Sequence, residues 1–418
     1  MTREHNWADS YTFKAARIHR PRSVDDIRRL VAGASKVRAI GARHSFNGIG
    51  DSSGVLIDLR SLEPDIIIDP QLQTVAVGAG ATYGALATYL QARGWALHNM
   101  ASLSHISIAG ATGTGTHGSG DKNGNLSTAV AVLELVTANG DLIQVRRGDA
   151  GFDAMVVGLG AFGIVTRVTL DIQPSFQVRQ DAFVDLPWAR VLASLDEIMA
   201  AAYSVSILTR WSGTAVDRLW LKTRLVDGDS PSIATAHLGL TSTLHPDITD
   251  SDESLFGRLT LFGMPGPWSE RLPHVQSGGE PGITDQIQSE YMVPRAAAIS
   301  ALVQLRKIGE RIDNHLRATE IRTIKGDDLW LSPSYGHDTL AIHFTWKNPP
   351  GPVLAVTSEI EDILLPLGAR PHWGKLMHAR ADKIARLYAR LPDFQNLVRT
   401  HDPHGKFRNE FLDTHVLA

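Results

Sequence analysis

Residues 98–120 read His-Asn-Met-Ala-Ser-Leu-Ser-His-Ile-Ser-Ile-Ala-Gly-Ala-Thr-Gly-Thr-Gly-Thr-His-Gly-Ser-Gly, a run of small and hydroxyl side chains with three histidines. No ordinary core element has this texture, because such side chains bury too little apolar surface. What the run offers instead is main chain. A second segment of the same kind precedes it. The β-rich Val37–Ile40 runs into Gly41-Ala-Arg-His-Ser-Phe-Asn-Gly48, where the glycines and Asn47 favour a turn over continued strand. Two loops of this sort expose many backbone N–H groups, which together form a concavity suited to a diphosphate. Gly113-Thr-Gly-Thr-His-Gly118 also matches G-x-G-x-x-G, but the helix that a dinucleotide site requires is missing. Ser119–Asn125 is polar and glycine-rich, and Glu134 lies inside a strand-like run.

Bulk properties narrow the partners. At 418 residues the chain exceeds one ordinary core, and 43% hydrophobic with 20% charged residues is globular usage. A net charge of -3, from 41 basic and 44 acidic side chains, gives no pull toward nucleic acid or anionic membrane, so the expected partner is a small molecule. Cysteine is absent, which excludes disulfides, thiolate metal sites and cysteine nucleophiles. Met1–Ser10 is mostly polar, and no run approaches the ~20 apolar residues of a membrane span. A cytoplasmic monomer that does not engage membranes is expected.

Along the chain, Ser23 is a good N-cap for a helix with Asp25 and Asp26 in its first turn and Leu30 and Val31 on its apolar face. Val55–Leu59 and Thr74–Val77 read as strands. Thr82–Arg93 reads as a helix ended by Gly94. Val130–Thr137 and Leu142–Val145 flank an Asn139-Gly140 hairpin signal, and Gly158–Leu170 combines a glycine-rich start with a β-rich run. A first domain ends near Pro174. Beyond it the pattern is α+β, interrupted by a Pro/Gly/acid-rich stretch between Leu244 and Gly282. Its loop-like parts, Asp247–Glu253 and Met264–Pro267, read as a surface excursion or a cover. Asp402–Phe407 suggests a turn that returns the chain to the body.

Two polar pairs stand out in the second part. Glu320 and Arg322 share a face if Ala318–Ile324 is a strand, as do His343 and Thr345 on Ala341–Trp346. Each pair taken alone is compatible with an ordinary surface contact. Two such pairs facing a dry core would be costly, so they are expected to line a pocket. His98, His105 and His117 have spacings of seven and twelve that match no zinc motif, and no metal is expected.

With these residues in view, the chain resembles the vanillyl-alcohol-oxidase type flavoproteins, and within them the alditol and xylitol oxidases. The resemblance runs in order through Gly41–Asn47, Asn99–Ser102, His105–Gly110, Thr114–Gly118, Gly163–Thr166, Glu320–Arg322, His343–Trp346 and Arg370–Lys375. It implies an α+β, two-domain PCMH-type fold. Residues 10–174 would bind FAD, and residues 175–418 would form an α+β substrate domain whose C-terminal segment packs back toward the first. FAD would be attached covalently through His44. Its contacts would come from Gly41, Ala42, Arg43, Ser45, Phe46, Asn47, Ser102, Ser107, Gly110, Thr114, Gly115, Thr116, His117 and Val165. The resemblance assigns the substrate to Ser102, Glu320, Arg322, Thr345 and Lys375, with Glu320 pairing with Arg322 or Lys375. His343 would act as base or hydrogen-bond partner beside Lys375, Arg322 and Glu320. The implied activity is oxidation of a small polyol's terminal primary alcohol to the aldehyde, with O2 reduced to H2O2. A sugar-lactone oxidase or dehydrogenase of the same group is the alternative. A reading from another class is a non-catalytic carbohydrate binder using Trp330, Trp346 and Trp373 as stacking platforms.

Overall fold

The computed structural model describes residues 4–225, 243–244, 261–275, 286–347 and 350–417. The acid-rich segment Asp247–Glu253 lies outside the described residues.

The helix Val24–Gly33 begins where Ser23, in extended conformation, accepts the Asp26 N–H on its side-chain oxygen at 3.1 Å. Ile27 and Val31, one turn apart, are fully buried. The helix Tyr83–Gln91 is capped in the same way by Thr82, and Gly140 makes the hairpin turn with φ +86. Strands Arg17–His19, Val37–Ile40 and Val55–Asp58 form a small parallel sheet. A five-stranded antiparallel sheet beside it orders Ile67–Asp69, Thr74–Gly78, Ile164–Asp171, Val130–Val136 and Leu142–Arg146.

From Gln177 onward the chain builds a larger, nine-stranded sheet. Its main path runs Thr243–Leu244, Gln177–Phe183, Arg218–Leu225, Ser204–Thr209, Leu316–Ile324, Thr339–Lys347, Gln286–Pro294 and Arg370–Pro371. Gly266–Pro267 joins it by pairing with Gln177 and Val178, so that part of the Met264–Pro267 loop is tied to a sheet edge. The alternation of a strand splits this sheet into two chemistries. Ile321, Ile342, Phe344, Trp346 and Tyr291 face a core formed with the helices Ala298–Lys307 and Pro350–Leu364. Their sequence neighbours Glu320, Arg322, His343, Thr345 and Glu290 face the opposite way, into a cavity.

The C-terminal segment crosses back to the N-terminal body. Phe394 and Val398 of helix Leu391–His401, and Phe411 and Leu412 of helix Glu410–His415, share a core with Leu86 and Met155. Phe407 packs with Ile27 and Val37, and the Val37 N–H donates to the Lys406 carbonyl at 3.0 Å. Among the described residues no helix is long and apolar enough to cross a membrane.

Candidate functional site

One continuous cavity runs from the two glycine-rich loops to the polar face of the large sheet. The first loop is shaped by close approach. A Cβ on Gly41 would stand 2.2 Å from the Ser107 Oγ and 2.7 Å from its Cβ, so only glycine lets the loops meet there. Arg43 adopts φ +62, and its guanidinium bonds the Glu4 carboxylate and, at 3.3 Å, that of Asp58. Among the described residues the amides of Ala42, Arg43, His44 and Ser45 donate to no carbonyl or side chain, although all four residues line the cavity. Four successive unspent donors beside the cavity are a donor set of the kind that suits a flavin dinucleotide's pyrophosphate. The His105 Nε2 is likewise buried without a partner.

The His44 ring packs 4.2 Å from His105 and 4.8 Å from Trp7, centroid to centroid. Burial, reinforced by His105, pushes its pKa well below the ordinary imidazole value, so the ring is neutral. Asn47 lines the cavity and also ties loops together. Its side chain caps Ile49 and donates to the Trp373 and Lys375 carbonyls at 2.9 and 2.7 Å. Together with the bond from the Phe46 amide to the Gly374 carbonyl, it ties the first loop to the segment that carries Lys375.

Ser102, Ser107, Gly110, Thr114, Thr116, His117 and Val165 also line the cavity. Gly115 stands apart. It makes a turn at φ +67 and packs on Pro333, where a Cβ would meet the ring at 2.7 Å. His98, His105 and His117 sit in separate environments. The His98 Nε2 is 3.4 Å from the Gly124 carbonyl, and the His117 Nδ1 is 2.8 Å from that of Gly118. Among the described residues no cluster of three or more possible metal ligands occurs.

At the far end of the cavity, register places Glu290, His343 and Glu320 side by side on three adjacent strands. Glu290, which sequence reasoning missed, is the hub. It accepts from the Arg322 Nη2 at 2.7 Å and the Lys375 Nζ at 2.6 Å, and it lies 3.1 Å from the His117 Nε2. Burial alone would raise this carboxyl, but Lys375, His117 and Arg322 outweigh it and hold the group well below the carboxylate range. The Lys375 Nζ also contacts the His343 Nδ1 at 2.7 Å, and the His343 Nε2 meets the Thr345 hydroxyl at 3.0 Å. Burial, then Lys375, lowers His343 to about 4. Arg322 donates through Nη1 to Ser102 at 3.0 Å.

Glu320 pairs with Arg322 as expected and has a closer partner besides. Its close partner is His274 at 2.6 Å, whereas Arg322 is 3.7 Å away and Lys375 is bonded elsewhere. Sequence offered one clue to Glu290. Gln286, Gln288 and Glu290 alternate with Ile287, Ser289 and Tyr291, a two-residue period that puts three polar groups on one face. The tryptophans are not platforms. Trp346 stacks on Phe344 at 5.1 Å inside the core, and Trp373 is buried with its indole N–H on the Leu331 carbonyl. Arg390 covers the Trp330 ring.

Comparison with known proteins agrees with this geometry. Residues 15–146 match the FAD binding domain family, and residues 283–415 match the D-arabinono-1,4-lactone oxidase family. An alditol oxidase of a Streptomyces species is 42% identical over 412 residues, covering 97% of each chain. The L-gulonolactone oxidase of Mus musculus is 27% identical, over 98% of this chain and 97% of that one. A cholesterol oxidase from Brevibacterium sterolicum has the same fold, with TM-score 0.76 at 17% identity, covering 99% of this chain and 96% of that one. The chain therefore belongs to the alditol oxidase family of FAD-binding oxidoreductases and has the two-domain vanillyl-alcohol-oxidase-type fold.

Proposed function

We propose that the protein oxidises the terminal primary alcohol of a small polyol, such as xylitol or sorbitol, to the aldehyde, with O2 as acceptor and H2O2 as product. The observation that carries this reading is that a run of unspent amides and an acid–base row border one cavity, in a chain similar to an alditol oxidase. FAD, when bound, supplies the hydride acceptor and passes the electrons to O2.

The amides of Ala42–Ser45 bind the diphosphate, and the neutral His44 carries the covalent link to the flavin. Ser102, Thr345 and Glu320 orient the hydroxyls of an unbranched polyol through short donors and acceptors. Arg322 and Lys375 supply positive charge beside the reacting oxygen. His343 and Lys375 act as a coupled pair 2.7 Å apart, and the member of the pair lacking the shared proton takes the one leaving the alcohol. Glu290 offsets the charge that results, its carboxylate lying 3.8 Å from the His343 Nδ1.

Sugar-lactone oxidation is the second reading, favoured by the family match over residues 283–415. A visible spectrum of the purified protein separates the two. Anaerobic xylitol bleaches the flavin band and air restores it if polyols are the substrate. A band that responds only to aldonolactones overturns the polyol reading. Colour that stays with acid-precipitated protein supports the covalent link, and colour released to the supernatant removes it.

A further inference from the structure

Lys222 lies on the strand Arg218–Leu225, two strands from Glu320, and is 1% exposed. It does not line the cavity, yet a buried ammonium is costly unless all its donors are satisfied. Its Nζ meets three acceptors: the Leu272 carbonyl, the Pro273 carbonyl at 3.2 Å and the His274 Nδ1 at 2.9 Å. Burial lowers Lys222 to about 7, and in its ammonium form it has three donors and no lone pair, so this arrangement makes the His274 Nδ1 an acceptor. The proton of the neutral ring then sits on Nε2, which donates to the Glu320 Oε1 at 2.6 Å. A charged ring would set two cations in contact.

The rest of the site holds this orientation. The imidazole stands edge-on to Trp220, with centroids 5.0 Å apart at 88°. The His274 amide donates to the Ser102 carbonyl at 3.0 Å, which links the same residue to the serine that receives Arg322. Burial lowers His274 to about 4, in keeping with a neutral ring. Glu320, despite its burial, is held well below the carboxylate range by Arg322 and His274.

We infer that Lys222 and His274 are a positioning pair that locks one imidazole tautomer and so holds Glu320 as an ionised acceptor for a polyol hydroxyl. The inference rests on the reading of Glu320 as a substrate-facing group. Affinity is then set in part by a lysine that never touches the substrate. Removing the ammonium frees the ring to turn over its proton, and Glu320 loses its fixed donor.

The test combines imidazole nitrogen NMR on isotopically labelled holoenzyme with steady-state kinetics. His274→Gln identifies the His274 signals by their loss. The wild type shows protonated Nε2 and unprotonated Nδ1, and Lys222→Met abolishes that pattern. KM for xylitol rises about tenfold in Lys222→Met and in His274→Phe, while kcat changes less than about threefold. His274→Gln, whose amide can accept from Lys222 and donate to Glu320, recovers most of the loss. A His274 protonated on Nδ1, or an unchanged KM in the folded Lys222→Met and His274→Phe proteins, overturns the inference. If xylitol leaves the wild type unchanged, the polyol reading falls, and the tautomer spectrum still decides whether the pair is locked.

Discussion

Glu290 takes one acidic side chain into a wholly buried position and surrounds it with Arg322, Lys375 and His117. Breaking such a set by removing one charge leaves the others uncompensated. Glu290→Gln is therefore expected to lower stability by about 3–5 kcal/mol, measured by denaturant unfolding of the flavin-loaded protein. His343→Phe, in contrast, removes one half of the proton-accepting pair and is expected to reduce kcat by about a hundredfold or more. Stopped-flow reduction by xylitol reads that loss directly. Several depressed imidazoles weigh on the acid response, His44 and His372 together with His105, His274 and His343. Burial takes His105, His274 and His343 from 6.5 to about 4 in the fold. Between those values the unfolded chain binds protons that these rings refuse in the fold, so their contribution falls as pH drops from 6.5 toward 4, while Glu361 and Asp327, raised by burial to about 7 and about 6, act in the opposite direction. The carboxyls Glu290 and Glu320 are depressed instead, so their contribution is lost only below the ordinary 4.5. In a Glu361→Gln, Asp327→Asn protein, which lacks the two opposing carboxyls, a thermal midpoint that stays constant between pH 6.5 and 4.5 would contradict this assignment.

Between elements, the decisive contact is that of the first glycine loop with Ser107. Gly41→Ala places a methyl group on that hydroxyl, so the loops must separate and flavin content should fall. Adding Ser107→Gly removes both clashing atoms and should restore the ratio of flavin to protein absorbance; a loaded Gly41→Ala protein would show that the approach is not required. The first loop was legible from its glycines and Asn47, whereas the second segment was read wholly as loop and in fact turns through a short helix, Ile108–Gly113, with Met100, Ala101, Ile108 and Ala111 packed in the core. Glu320, Arg322, His343 and Thr345 were legible because a strand's period of two pairs them within a short stretch. Glu290, His274 and Lys222 were not, since their meaning depends on strand order. Register brings Glu290 opposite His343, 53 residues away, and His274 meets Glu320 from a loop 46 residues distant. Local patterning carries no information on such pairings. Gly115, conversely, looked like part of the anion loop and is a turn residue packed on Pro333.

Across the whole molecule, the C-terminal segment is part of the N-terminal body. The Asn409 side chain donates to the carbonyls of Gly48, Ile49 and Asp51 at 3.0, 3.1 and 2.8 Å and caps the last helix by accepting from the Leu412 amide. Arg38 bonds the Phe407 carbonyl on one side and those of Ile49 and Leu159 on the other. Asn409→Ala should cost about 2 kcal/mol, seen as a lower urea midpoint, because it strips a cap and takes from the Asp51 carbonyl its side-chain donor, while Gly48 and Ile49 keep the Asp51 amide and Arg38. An unchanged midpoint would mean that the loop stands without its clasp.

That clasp also sets a timetable. A ribosome delivers Gly41–Asn47 long before Lys406–Asn409, and nascent domains ordinarily fold in the order in which they emerge. Here the Val37 strand must wait for its Lys406 partner, and the loop bearing His44 waits for Asn409 and for the segment around Lys375. The cofactor cradle is thus completed only once the Lys406–Asn409 segment has emerged, and a nascent chain still short of the helices Leu391–His401 and Glu410–His415 would leave an apolar N-terminal core without the cover they give it.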